Sequence, residues 1–201
     1  MKKFACTMLL LVAALATAAF AGDDKKAPPP GQQADAAAMQ AMMAAMTPGE
    51  HHEHLKKIAG NHTYTMKMWM DPTAPPVEST GKRSTEFLLG GRFLQEKFSG
   101  TFMGMPFEGI GLLGYDNVKK EYVGTWVDNM GTGIMTSHGT CDKTGWTMIG
   151  EATDPMTGKP WTSRSVLKLV DDNTFTMEMF GPNAEGKEYK MFEMTCKKVS
   201  S

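Results

Sequence analysis

The chain contains little of what catalysis is usually built from. Its 201 residues hold three cysteines and five histidines, and none falls into a familiar catalytic spacing. There is no Gly-x-Ser-x-Gly elbow, no His-Glu-x-x-His pair, no glycine-rich phosphate loop opening a helix, and no cysteine set with a histidine and an orienting acid. Polar candidates exist in Arg92, Glu96, Asp128, His138, Arg164 and Glu193, but no motif ranks them above outer-face charges or turn partners. A basic stripe is also missing. The 21 Lys and Arg are scattered among 22 Asp and Glu, the pattern of a solvated surface, and nothing points to nucleic acid.

Long apolar runs are absent as well. The one candidate, Met8 to Ala19, falls short of the roughly 20 residues that a membrane-spanning helix needs. Lys2 and Lys3 precede it, and the small-x-small triplet Ala19-Phe20-Ala21 ends it, just before Gly22-Asp23-Asp24. Those three parts compose a bacterial secretory signal peptide over residues 1–21, cleaved after Ala21, with a periplasmic or secreted product that has no stable membrane insertion. Cys6 stands ahead of the apolar run, so it is badly placed for lipoprotein attachment. Cleavage would move the formal charge from −1 to −3, since residues 1–21 carry two lysines and no acid.

Residues 22–35 are rich in Asp, Lys, Pro, Gly and Gln and read as a flexible leader. Residues 36–59 read as short helices. In the first, Ala36 to Met46, Met39, Met42, Met43 and Met46 form one stripe. For the second, Thr47-Pro48-Gly49-Glu50 suggests a cap at Thr47, proline in the first turn and Glu50 closing a capping box, with a stop at Gly60. Leu55 and Ile58 are placed to pack this helix across one end of the remaining chain.

That remainder, residues 60–199, is about ten short runs of alternating apolar and polar residues. Tyr64, Met66, Met68 and Met70 share a face, as do Tyr122, Gly124 and Trp126, and as do Trp161, Ser163, Ser165, Leu167 and Leu169. Turn chemistry separates the runs: Asp71-Pro, Asp116-Asn117, Asp142-Lys-Thr-Gly145, Asp154-Pro, Asp171-Asp-Asn173 and Gly181-Pro-Asn183. Short joins imply sequential hairpins, and glycines within strands, such as Gly109, Gly111, Gly114 and Gly124, permit the coiling that closure requires. The expectation is an all-β fold, an up-and-down closed antiparallel barrel of about ten strands with one or two short N-terminal helices. In such a meander Cys141, ending the sixth strand, and Cys196, on the last, are not neighbours, which argues against a disulfide without deciding it.

The ordered motifs Met66-Lys-Met-Trp-Met-Asp-Pro72, Gly90-Gly-Arg-Phe93, Gly104-Met-Pro-Phe-Glu-Gly-Ile-Gly111, Gly114-Tyr-Asp-Asn117, Thr125-Trp-Val-Asp128, Met130-Gly-Thr-Gly-Ile134 and Asp154-Pro-Met-Thr-Gly158 resemble the bacterial family of unknown function 1579 over residues 48–199. The resemblance implies a lipocalin-like or nitrobindin-like (calycin) barrel, without an established activity and without functional residues to carry over. One departure stands out: Asn61-His62 occupies the place where such barrels open with Gly-x-Trp, so His62 either plugs the barrel end, the favoured reading, or offers a nitrogen into the cavity. Nitrobindin-like barrels hold haem through a histidine on a late strand. From Trp161 onward this sequence has none, and no cofactor is implied.

Methionine is the abundant residue, with 17 beyond position 21. Some must pack the core. A Met-lined cavity formed by Met66, Met68, Met135, Met148, Met177 and Met191, with Tyr64 and Trp126, would adapt to hydrophobic molecules of differing shape. This points to an exported, non-catalytic barrel whose partner is a small hydrophobic or amphipathic molecule. The alternative is a periplasmic copper or zinc protein using Met39, Met42, Met43 and Met46 with His51, His52 and His54, because thioethers suit Cu(I) and imidazoles suit Cu or Zn.

Overall fold

The computed structural model describes residues 30–183 and 185–199, so the expected signal peptide and most of the leader lie outside the described residues. Ten strands form one closed sheet: β1 His62–Met68, β2 Val77–Leu88, β3 Phe93–Phe102, β4 Met105–Asp116, β5 Glu121–Asp128, β6 Met135–Cys141, β7 Gly145–Thr153, β8 Pro160–Asp171, β9 Thr174–Pro182 and β10 Glu188–Lys198. Every strand pairs antiparallel with its sequence neighbours, and β1 pairs with β10 from His62↔Lys198 to Met68↔Phe192 to seal the barrel. The expected up-and-down closed barrel is the one observed.

Short polar side chains set the hairpins. Carboxylates of Asp71, Asp116, Asp142, Asp154 and Asp171, and the Asn183 amide oxygen, each accept a backbone N–H two residues on. The hydroxyls of Thr73 and Thr144, which also donate to Asp71 and Asp142, and then the backbone N–H groups favour the ionised acid and hold the carboxyls of Asp71, Asp116, Asp142 and Asp154 below their ordinary value. Because the joins are short, the register of each pair is fixed by its turn.

The helices differ from the sequence-based expectation. α1 runs over Pro30–Met46, beginning earlier than expected. Its last carbonyls are met by side chains from the barrel: Arg92 donates to Met46 O at 2.7 Å, and Asn117 Nδ2 to Thr47 O at 2.8 Å. Thr47 does not cap the next helix, for its hydroxyl donates back to Met43 O at 2.7 Å. α2 is only Glu50–His54, with Gly49 at its N-cap, and it tightens into a 3-10 helix over Leu55–Ile58. His52 Nδ1 accepts the Gly49 N–H at 3.0 Å. That ring makes the reach-back expected of Glu50, so the helix starts two residues later than expected. No helix among the described residues is long and apolar enough to cross a membrane.

Closure gives the alternation a direction. The pairings place Tyr64, Gly81, Arg83, Glu96, Phe98, Gly111, Trp126, Met135, Ser137, Gly150 and Ser163 on the inner wall, with Thr65, Lys82, Lys97, Ile110, Thr125 and Thr162 outside. Inward glycines leave room for bulky neighbours. A Cβ on Gly109 would lie 2.6 Å from Trp126 Cη2, and one on Gly100 would lie 2.5 Å from Tyr64 Oη. These glycines therefore serve close approach as well as the curvature expected of them. Gly109→Ala is expected to lower unfolding free energy by about 1–3 kcal/mol through overpacking. Gly131→Ala, where a Cβ meets nothing within 4 Å, should stay within about 0.5 kcal/mol. Urea denaturation of the two variants checks both.

Candidate functional site

The barrel interior divides into a packed floor and a more open upper half. At the floor, Leu55 and Ile58 close the end of the sheet against Leu94, Tyr122, Trp146, Phe175 and Cys196, all of them 3 % exposed or less. Aromatic edges interlock there: Tyr122 meets Trp146 at 5.9 Å and Tyr115 at 5.0 Å between centroids. Cys141 and Cys196 are free thiols, and burial pushes the Cys196 thiol up to about 12. That thiol is inert at neutral pH.

A charged residue is sealed into this floor. Arg83 on β2 is 1 % exposed. Its Nη1 donates to Ile58 O at 2.6 Å and to His62 Nδ1 at 3.2 Å, while Nε, at 3.1 Å, and Nη2 both donate to Glu96 Oε1. Phe175 and Phe98 flank the guanidinium with ring centroids at 5.1 and 5.8 Å. Since Arg83 can only donate, His62 Nδ1 accepts and Nε2 carries the proton; the 3.3 Å approach of Nδ1 to Gly60 O is then a contact between two acceptors. Burial first, and the Arg83 charge second, hold His62 down at about 4. With its ring edge on Phe175 at 5.2 Å, His62 fills the barrel end as expected of it.

Above the floor the inner wall is apolar and half-buried. Tyr64, Phe98 and Trp126 step upward with centroids 5.6 and 5.4 Å apart. Met66, Met68, Met135, Met177, Met179 and Phe192 surround them. Of the residues expected to line a cavity, Tyr64, Met66, Met68, Trp126, Met135, Met148 and Met177 face inward, with Met148 lowest, and Met191, in a bulge, lies over Gly181. Two inner hydroxyls, Ser79 Oγ and Ser163 Oγ, are buried without a hydrogen-bond partner among the described residues. Water reaches the Glu96 side chain, which is 20 % exposed, from this side. Sequence reasoning missed Arg83 altogether, because β2 reads as polar on both faces, Glu-Ser-Thr-Gly-Lys-Arg-Ser-Thr-Glu, and offers no apolar alternation to mark the inward side.

Other expected residues are placed elsewhere. Met39, Met42, Met43 and Met46 are 53–61 % exposed on α1, so their stripe is not a packing face. His51 stacks on Tyr115 at 4.0 Å, His52 is the buried N-terminal cap of α2, and His54 approaches Glu50 at 3.9 Å. Among the described residues no group of three or more His, Cys, Asp or Glu is gathered to hold a metal ion. Of the unranked polar residues, Arg92 caps α1, and Asp128 accepts the Trp126 indole N–H at 2.8 Å. His138 is on the outer face of β6, between Val123 and Ile149. Arg164 pairs with Glu188, and Glu193 with Lys190. Clefts indent the wall. One of about 310 Å³ opens beside Ser163, Arg164 and Phe180; another of about 600 Å³ crosses the outside of β10, β1 and β2 among Thr63, Thr65, Thr80, Lys82, Thr195 and Lys197.

A closed antiparallel barrel with a packed floor and a half-buried, largely apolar upper wall is the class that fold and site define. The chain belongs to DUF1579, a family described as "Protein of unknown function", whose model matches residues 47–198. Among solved structures it is similar to Rv2717c from M. tuberculosis, at 14 % identity and a TM-score of 0.57, covering 77 % of this chain and all of that one. A redesigned beta barrel aligns at 16 % identity and a TM-score of 0.38, over 72 % of this chain and 94 % of that one. The first likeness shows the fold alone. No curated protein matches the chain.

Arg83→Met strands a carboxylate and frees the Ile58 carbonyl. A loss of about 3 kcal/mol is expected in urea, with at least half recovered when Glu96→Leu is added. His62 makes stability depend on pH. Its folded value lies below the ordinary 6.5, so between pH 6.5 and about 4 the unfolded chain binds the extra proton and stability falls as pH falls. The slope from this one group is at most about 1.4 kcal/mol per pH unit. His62→Gln, which keeps an acceptor for Arg83, should flatten the thermal-midpoint curve over that window, and an unchanged curve would place the acid sensitivity elsewhere.

Proposed function

We propose that this protein is an exported barrel that binds a small hydrophobic or amphipathic molecule in the upper half of its interior and leaves it chemically unchanged. The observation that carries this reading is the contrast within one barrel: a floor sealed by aromatics, and above it a half-buried wall of methionine, tryptophan and phenylalanine with the partly exposed Glu96 carboxylate at its base. Ligand pockets combine apolar lining with a few polar groups that fix orientation. Methionine suits such a wall because its unbranched thioether repacks around guests of different outline.

The rim supports the same reading. Hairpin loops at the open end expose Met70, Met103, Met105, Met130, Ile134 and Met156, from 47 % to 90 %. The opposite end carries the charged turns Lys119-Lys120, Asp142-Lys143 and Asp171-Asp172. An apolar guest approaching from the rim meets apolar side chains before it meets the cup. Export to the periplasm, with cleavage after Ala21, belongs to this proposal and rests on the basic, apolar and small-residue segments of the N-terminus.

Native mass spectrometry of protein recovered from its own periplasm is expected to show one organic molecule per chain, identified after solvent extraction. Recombinant, stripped protein should bind a neutral hydrophobic dye such as N-phenylnaphthylamine with one-to-one stoichiometry. An empty protein that also ignores the dye would end this reading.

A further inference from the structure

The chemistry at the bottom of the cup restricts which end of an amphipathic guest enters first. We infer that the ligand enters with an uncharged or cationic hydrogen-bond donor leading, an alcohol or an amine, which is received by Glu96 Oε2, and that carboxylic acids are rejected. This rests on the proposed cup and goes further by naming the ligand class.

The guanidinium at the floor is already occupied. Each Arg83 nitrogen is engaged by Ile58 O, His62 Nδ1 or Glu96 Oε1. At 1 % exposure the cation offers no open N–H to a guest, although a buried arginine would ordinarily suggest an anion site. Its partner is only half engaged. Glu96 Oε1 takes both guanidinium bonds, whereas Oε2 receives no donor from the described residues and is not among the sealed polar atoms. An ionised carboxylate only accepts, so the group facing the cup is an acceptor with lone pairs to spare.

Gly111 makes that oxygen reachable. It sits directly across from Glu96 on β4, and a Cβ there would lie 3.2 Å from Oε2 and 3.4 Å from Trp126 Cε3. The missing side chain leaves a gap no larger than a methyl group beside the indole face and Oε2. A second acid on the inner wall reinforces the sign. Asp128 stands at the upper end of β5, bonded to Trp126, and the inward-register Lys198 lies at the opposite end of the barrel, across from His62. A guest carboxylate would face two acids with the inward Arg83 already neutralised, an arrangement that costs binding energy.

The test is displacement of N-phenylnaphthylamine from the full chain by dodecylamine, dodecanol and dodecanoate, each held below its micelle threshold. Dodecylamine and dodecanol should compete at least about tenfold better than dodecanoate. Gly111→Ala, which fills the gap while keeping every charge, should erase most of that difference. Glu96→Gln turns an amide N–H toward the cup and leaves the arginine charge uncompensated, so dodecanoate should draw level or lead. Equal competition by the three in the wild-type protein, or a dodecanoate lead, overturns the inference while dye binding leaves the cup reading standing. Failure of the dye to bind overturns both, and the wild-type comparison decides the matter even if Glu96→Gln does not fold.

Discussion

A buried guanidinium ties the closed end of this barrel together. Arg83 reaches from β2 to the last carbonyl of the 3-10 helix, to the first residue of β1, and to the carboxylate of β3. Taking such a cation out of water is costly unless it is paired and hydrogen-bonded, and the surrounding sheet and 3-10 helix give every one of its nitrogens a partner in a fixed position. The neighbouring features depend on that constraint. Ile58 is held over the barrel end, Leu55 and Ile58 seal the floor, and His62 must stay neutral to accept from Arg83. A carboxylate is also obliged to stand inside an otherwise apolar wall, with one oxygen left toward the cup.

The upper half is organised by a different rule. Bulky side chains and glycines alternate across neighbouring strands, Tyr64 over Gly100 and Trp126 over Gly109, so each of these rings lies against bare backbone. Methionines line the rest of this wall. A floor of rigid rings beneath a wall of flexible thioethers separates the part that supplies stability from the part that can repack, and the two meet at Glu96.

Much of the architecture was legible in the residue order. Period-two alternation marked strands such as β1, β5 and β8, and each Asx turn read from the chain proved to make its two-residue hydrogen bond. Local signals failed where distant partners competed for the same groups. Thr47 looked like a cap and instead closes α1, because His52 supplies the acceptor that Gly49 needs. The methionine stripe on α1 is exposed, because α1 meets barrel side chains through its terminal carbonyls, not through that stripe.

Residue order alone dictates a closed antiparallel barrel with an apolar inner wall, since alternation and turn residues act within a few positions of one another. Which face of each strand turns inward, and what chemistry it presents, is settled by contacts between distant parts of the chain. On β2 the polar residues run along both faces, so nothing local separates Arg83 from Lys82. Closure of the ring does so: once β1 pairs with β10, the face carrying Ser79, Gly81 and Arg83 is inside, and a cation that would be solvated on an open sheet becomes the buried partner of Glu96.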